Sequence, residues 1–285
     1  MEVLTEPFSY AFFVRGLVAA ALAGALCGLL GVYITLRGMS YIGHGLSHAV
    51  FGGAVVAYIL EINFYLGAGA WGFVSALLIY AVTRRRQIGA DAAIGIVTTA
   101  SFAIGVALIS KVRKFTKNFE AALFGNILGV TPQDLIVLAG ITIVAAAVVF
   151  VFYKQLLFVT FDPEVAPTYG ISVNRVDVVF ALILSAGVIG SLQVLGVTMV
   201  AAAIVIPPVI ARLLTDRFAT LLWSSTAIGA ACGLTGVYAS YYLDVSSGAT
   251  VVLVAAALFL VVLGLSRVRG TRRAPLAGGF STSID

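Results

Sequence analysis

Residues 41–60, YIGHGLSHAVFGGAVVAYIL, form an apolar run that carries no Asp, Glu, Lys or Arg, yet holds both histidines of the 285-residue chain, His44 and His48. Wound as an α-helix, twenty residues extend about 30 Å, which is the thickness of a bilayer's hydrocarbon core. The stretch therefore reads as a membrane span. Comparable runs recur near residues 10–36, 65–83, 91–110, 133–153, 174–191, 194–214, 218–240 and 248–266, which makes nine candidate spans. A membrane β-barrel would show apolar and polar residues alternating in segments of about ten, and that pattern is absent. In lipid the backbone must satisfy its own hydrogen bonds, so the expected fold is all-α, a polytopic transmembrane helical bundle of about eight or nine spans.

Composition agrees. Hydrophobic residues make up 61% of the chain and charged residues 10%, with a mean hydropathy of +1.10, far from the balance of a soluble domain. The net charge of +5 does not point to nucleic acid, because the basic residues follow the loops. With nine spans and the C-terminus inside, Arg37, Arg84, Arg85, Arg86, Lys154, Arg175, Arg212, Arg217, Arg267, Arg269, Arg272 and Arg273 fall on one face, as the positive-inside rule requires. The segment KVRKFTKNFE, residues 111–120, falls on the other side and reads as an amphipathic surface element. Glu2 and Glu6 precede the first run where a signal peptide would be basic, so that run is expected to stay in the membrane. Cys27 and Cys232 sit in apolar runs without CxxC spacing and read as small packing residues. No polar stretch is long enough for a soluble domain, so residues 1–266 are expected to form one transmembrane domain and residues 267–285 a disordered cytoplasmic tail. Any ATPase or solute-capturing part must be a separate chain.

The heptapeptides CGLLGVY, residues 27–33, and CGLTGVY, residues 232–238, differ at one position. Inverted repeats occur in transporters, but Gly-x-x-Gly spacing is better explained by helices packing closely through small residues.

His44 and His48 lie four residues apart, so on a helix their imidazoles project from one face into the same space. A single intramembrane histidine is readily satisfied by a backbone carbonyl or a wet cavity. Two on one face point instead to a shared ligand, since ionisable groups at membrane depth face the bundle interior or an aqueous path. The pair is the candidate metal site. It is not a metalloprotease motif, because HExxH places a Glu general base where this chain has Gly45.

The stretch LRGMSYIGHGLSHAVFGG resembles the signature of the zinc/manganese/iron permease family of ATP-binding-cassette importers. ADAAIGIV at 90–97, FGNILGVTPQDL at 124–135, FDPEVAPTYGI at 161–171, VTMVAAAIVIPPVIARLL at 197–214 and YYLDVSSGAT at 241–250 resemble that family's blocks in the same order. The resemblance implies a non-enzymatic membrane subunit of a bacterial inner-membrane importer, usually a homodimer surrounded by lipid. Its partners would be a cytoplasmic ATPase, which binds the ATP, and an extracytoplasmic metal-binding protein. No cofactor is held permanently; the divalent metal is cargo. The family usually reads Ser-Tyr-x-Gly-Asp-x-x-x-His, whereas His44 occupies the aspartate position here. Imidazole in place of a hard oxygen shifts the expected preference from manganese toward zinc. The competing class, a stand-alone secondary carrier, would need an ion-coupling charge network that these spans lack. Asp91 resembles the family's acidic residue before AIG, but a carboxylate at a helix start is ordinarily a cap, so it is left outside the metal site.

FDPEVAPTYGISVNR, residues 161–175, has the grammar of a short helix: Asp162 can cap it, Pro163 suits its first position, Glu164 its positive end, and Gly170 its close. By resemblance it is the coupling helix that docks on the ATPase, with Asp162, Pro163, Glu164, Ala166, Tyr169 and Gly170 as its contact residues. Without a partner the same residues make a capped turn. Pro207 and Pro208 remove two backbone donors inside a span and predict a kink, which serves either as a hinge or as static packing.

Overall fold

The structure, a computed structural model, describes residues 5–83, 89–112 and 125–270. Among them there are no strands. A 3-10 turn, Glu6–Ser9, leads into α1 (Ala11–Leu36), followed by α2 (Tyr41–Ile59), α3 (Phe64–Thr83) and α4 (Ala90–Val112). After a 3-10 turn at Ile127–Gly129 come α5 (Pro132–Val151), the short α6 (Tyr153–Phe161), and a further 3-10 turn at Ala166–Tyr169. The chain ends with α7 (Val173–Leu214), α8 (Phe218–Leu243) and α9 (Ser247–Gly270). All but α6 are long and apolar enough to cross a membrane.

At 42 residues, α7 would measure about 63 Å if straight, twice the hydrocarbon thickness. It is not straight. Gly196 adopts φ 78°, ψ 162°, a backbone region that only glycine enters freely. Gly187 before it and Ile204 after it both pack on the same stretch of α1, Leu26 to Gly31. The chain therefore doubles back at Gly196, and α7 contributes two antiparallel spans. With α7 counted as two, the eight long apolar helices among the described residues make nine passes, the number expected from the hydropathy runs. The turn is buried and covered by the segment Gly125–Val130, where Asn126 N donates to Gln193 O at 3.4 Å and Ile127 is fully buried.

Pro207 and Pro208, where a kink is expected, lie in the second of these two spans, beyond Gly196. Both prolines are buried inside helix, and Gly196 is the residue in α7 whose dihedrals leave the helical range. Pro208 packs against the Gly31 backbone, where the absence of a side chain leaves room for its ring. Helical geometry survives two missing donors because neighbouring helices fix it.

The bundle is built around α1, whose Phe13, Ala20, Leu26, Leu30 and Tyr33 are buried along its length. It runs antiparallel to α8 at backbone contact. A Cβ on Gly24 would collide with Gly229 O, one on Gly28 with Ser225 O, and one on Gly233 with Ala20 O. Ser225 Oγ donates to Gly28 O at 2.6 Å across this crossing. Gly28 and Gly233 belong to the two matching heptapeptides, so the echo marks close helix packing. Cys27 and Cys232 are buried free thiols, as expected of packing residues. The outer helices turn apolar side chains outward: Ile136, Ile143 and Val151 of α5 are about 70% exposed, which suits lipid.

Helix ends sort into two levels. At one level lie the α1–α2 turn, α6, the 162–172 connection and the α7–α8 turn, with Arg37, Lys154, Arg175, Arg212 and Arg217. At the other, Phe8 and Phe13 meet Tyr238 and Tyr241, and Tyr65 Oη donates to Asp134 Oδ1 at 2.7 Å. Glu61 and Asp244 also fall there, both with left-handed backbone where helices end. Arg84, Arg85 and Arg86, and most of the basic segment 111–120, lie outside the described residues. Helix α9 runs past Arg267 to Gly270, beyond the expected start of the tail; residues 271–285 lie outside the described residues.

Candidate functional site

The first two turns of α2 place His44 and His48 side by side. Their ring centroids are 4.5 Å apart at an interplanar angle of 74°, close enough for one ion to take a nitrogen from each. Helix α2 meets α4 through small residues at this level: a Cβ on Gly45 would press on Ile94 and Thr98 at 2.6 and 2.7 Å. That close approach brings Phe102 edge-on to the His48 ring, at 5.3 Å and 89°, and Phe102 in turn packs on Phe51 at 5.4 Å. One side of the His48 imidazole is thus fixed by an aromatic wall, while His44 is exposed. Ser47 donates its hydroxyl to the His44 backbone carbonyl at 2.8 Å, a local bond that leaves both rings unengaged by that side chain.

The pair lines an open cavity of about 480 Å³ between α2 and α4, whose polar wall also includes Asp91, Thr98 and Thr99. Asp91 sits in the first turn of α4, at the helix start as expected, and its side chain lines the same cavity as the histidines. Among the described residues, no group of three or more His, Cys, Asp or Glu side chains is placed to hold a metal. His44 and His48 are therefore an incomplete ligand set, and a bound ion would need water or another chain to complete its shell.

The other face of α2 is apolar. Ile42 and Leu46 point away from the histidines toward a second cavity of about 300 Å³, enclosed by α3, α7 and the α1–α2 turn. The first turns of α2 thus lie between two open spaces.

The 162–172 connection folds into a tighter element than the one- to two-turn helix expected. Asp162 ends α6, and its Oδ1 accepts from Val165 N at 3.1 Å. Pro163 and Glu164 form an exposed turn, and the helical part is a 3-10 turn over Ala166–Tyr169. The difference has a local cause: Pro167 within that turn lacks the N–H that a longer α-helix would use. Gly170 closes the element in the left-handed region at φ 74°. Ala166 is fully buried as its anchor, and Tyr169 is 70% exposed while its ring packs at a tilt against Phe158, 5.2 Å between centroids. The connection therefore displays Glu164, Val165 and Tyr169 at the basic end of the bundle.

The model of the ABC 3 transport family matches residues 9–266. The chain is 38% identical to the manganese transport system membrane protein MntC of Halalkalibacterium halodurans, over 92% of this chain and 90% of that protein. It is 35% identical to the chelated iron transport system membrane protein YfeC of Yersinia pestis, over 91% of this chain and 88% of that protein. The solved structure of PsaBC from Streptococcus pneumoniae in complex with Fab superposes with a TM-score of 0.83 at 30% identity, covering 92% of this chain and 94% of that one.

Proposed function

This chain belongs to the ABC 3 transport family, and on that premise we propose that it is the permease subunit of an ATP-driven importer, passing a divalent transition metal ion along the cavity that His44 and His48 line. The observation that carries this reading is the imidazole pair, 4.5 Å apart on the wall of an open cavity, in a multi-pass chain whose relatives are named for manganese and chelated iron transport. The chain supplies the path. ATP hydrolysis belongs to a separate cytoplasmic ATPase docked on the exposed 162–172 connection, and an extracytoplasmic metal-binding protein delivers the ion.

The end bearing Arg37, Lys154, Arg175, Arg212 and Arg217 is assigned to the cytoplasm by the positive-inside rule, in a bacterial inner membrane. Two nitrogen ligands do not close a coordination shell, so a second copy, meeting the first across the exposed His44 face, is the source of further ligands. Partial coordination suits cargo that must leave again. Imidazole at position 44, where the family usually has aspartate, favours zinc or another borderline ion over manganese by ligand softness. Asp91 on the same wall adds a carboxylate that attracts the cation into the cavity.

The test is ATP-dependent uptake by the complete complex in proteoliposomes, with zinc and manganese in competition. Uptake of either ion that needs ATP and this chain supports the reading. Absence of uptake of both, with an ATPase that binds and hydrolyses ATP, removes it.

A further inference from the structure

One side chain joins the 162–172 connection to the helix that carries the histidines. Arg37 ends α1, and its Nη1 donates to Asp177 Oδ1 at 2.7 Å, while its Nε donates to Thr160 Oγ1 at 3.1 Å. The guanidinium lies over the Phe180 ring, 4.7 Å from the centroid. Thr160 stands in α6, immediately before the connection leaves the bundle, and Asp177 stands in the first turns of α7, just after it returns. Arg37 therefore holds both legs of the excursion at once, from a different part of the chain.

On its other side Arg37 is tied to α2. Met39 N donates to Ile34 O at 3.0 Å and Gly38 N to Thr35 O at 3.3 Å, with Gly38 at φ 66°. These are the paired bonds of a Schellman close, a stiff turn. Only Gly38, Met39 and Ser40 separate Arg37 from the start of α2, and His44 follows within its first turn. Behind that turn lies the cavity of about 300 Å³, with Arg37, Asp177 and Phe180 on its wall together with Ile42 and Leu46 of α2. Well-packed interiors do not yield by continuous deformation, so open space on this face is where α2 can shift as the connection moves.

We propose that Arg37 is a positioning residue for transport, a pin that carries movement of the 162–172 connection into α2 and so sets the placement of His44 and His48. This rests on the transport reading above. A planar guanidinium suits the task because it makes two directed hydrogen bonds and a ring contact at once, which an ammonium cannot reproduce. Removing it should leave the docking surface and the ligands in place and break the link between them.

The experiment uses the complete complex, reconstituted in proteoliposomes, with ATP hydrolysis and metal uptake measured on the same vesicles. The variants are Arg37→Ala, Arg37→Lys, Asp177→Asn and the milder Thr160→Val. The pin predicts that the ATPase co-purifies as with wild type and that ATP is still hydrolysed. Metal moved per ATP falls at least about tenfold in Arg37→Ala, the size of one lost charge-assisted hydrogen bond. Arg37→Lys, which keeps the charge but not the fork, lies between Arg37→Ala and wild type, and Thr160→Val shows a smaller drop of the same kind. A merely structural residue would lower hydrolysis and uptake together; that result, or an unchanged ratio in both Arg37→Lys and Thr160→Val, overturns the pin even if Arg37→Ala fails to fold. Failure of the wild-type complex to take up metal strikes the transport reading instead, so the two failures are distinct.

Discussion

Gly24→Ala should destabilise this bundle while Gly264→Ala should not, although both replace a helix glycine by the best helix former. In helix interiors that exchange is favourable by up to about 1 kcal/mol on propensity alone. At position 264 an added Cβ meets nothing within 4 Å, so Gly264→Ala should be neutral or slightly stabilising. At position 24 the methyl would fall on the carbonyl of Gly229, and no rotamer of neighbouring side chains relieves a clash with backbone. Helices α1 and α8 must part until the contact reaches van der Waals distance, a separation on the order of 1 Å, which forfeits a quarter to a half of each local dispersion contact. The same separation stretches the Ser225 to Gly28 hydrogen bond from 2.6 Å beyond useful length, a loss of about 0.6–1 kcal/mol. With overpacking strain of about 1–3 kcal/mol and the favourable propensity subtracted, the net destabilisation is about 1–3 kcal/mol. Thermal unfolding of the detergent-solubilised protein, followed by circular dichroism, reads the two variants against wild type. Equal midpoints for Gly24→Ala and Gly264→Ala would refute the claim that α1 and α8 touch through their backbones.

His44→Asp restores the carboxylate usual in the family and should raise manganese uptake relative to zinc, because His48 is unchanged and only one ligand hardens; an unchanged or lower ratio, with the same capture protein, means position 44 does not touch the ion. Glu164→Arg reverses a charge on the exposed connection and should weaken co-purification of the ATPase while leaving the bundle's unfolding midpoint within about 0.5 kcal/mol of wild type; undiminished binding returns the segment to an ordinary turn. Gly196→Ala places a side chain at φ 78° and should cost about 1–3 kcal/mol by strain at the buried reversal of α7, measured by the same unfolding assay; no loss there would mean the chain does not need glycine to double back.

The helices were legible because lipid imposes one rule along the whole chain: apolar runs of sufficient length must cross as helices. The histidine pair was legible because i, i+4 spacing survives whatever the helix packs against. The reversal within α7 is legible as the gap between the apolar runs 174–191 and 194–214, within a few residues of Gly196. The turning residue itself is less legible, because Gly196 is one of 30 glycines and the conspicuous helix breakers, Pro207 and Pro208, lie inside the helix beyond it. That Asp91 lines the same cavity as the histidines depends on how α4 crosses α2, a property of tertiary packing that a first-turn carboxylate does not announce. The Arg37 contacts to Thr160 and Asp177 span 123 and 140 residues of chain, and no spacing rule reaches that far.

Whether His44 and His48 together handle the transported ion is tested most directly by ATP-driven uptake of zinc and manganese by the complete complex carrying His44→Ala and His48→Ala together, with ATPase co-purification as the control for assembly. Uptake of both ions should fall by more than about tenfold, since even disturbing a partner of a metal ligand costs that much, while the ATPase still co-purifies. Wild-type uptake of zinc and manganese by the doubly substituted complex would contradict that role and move the site of recognition elsewhere in the bundle.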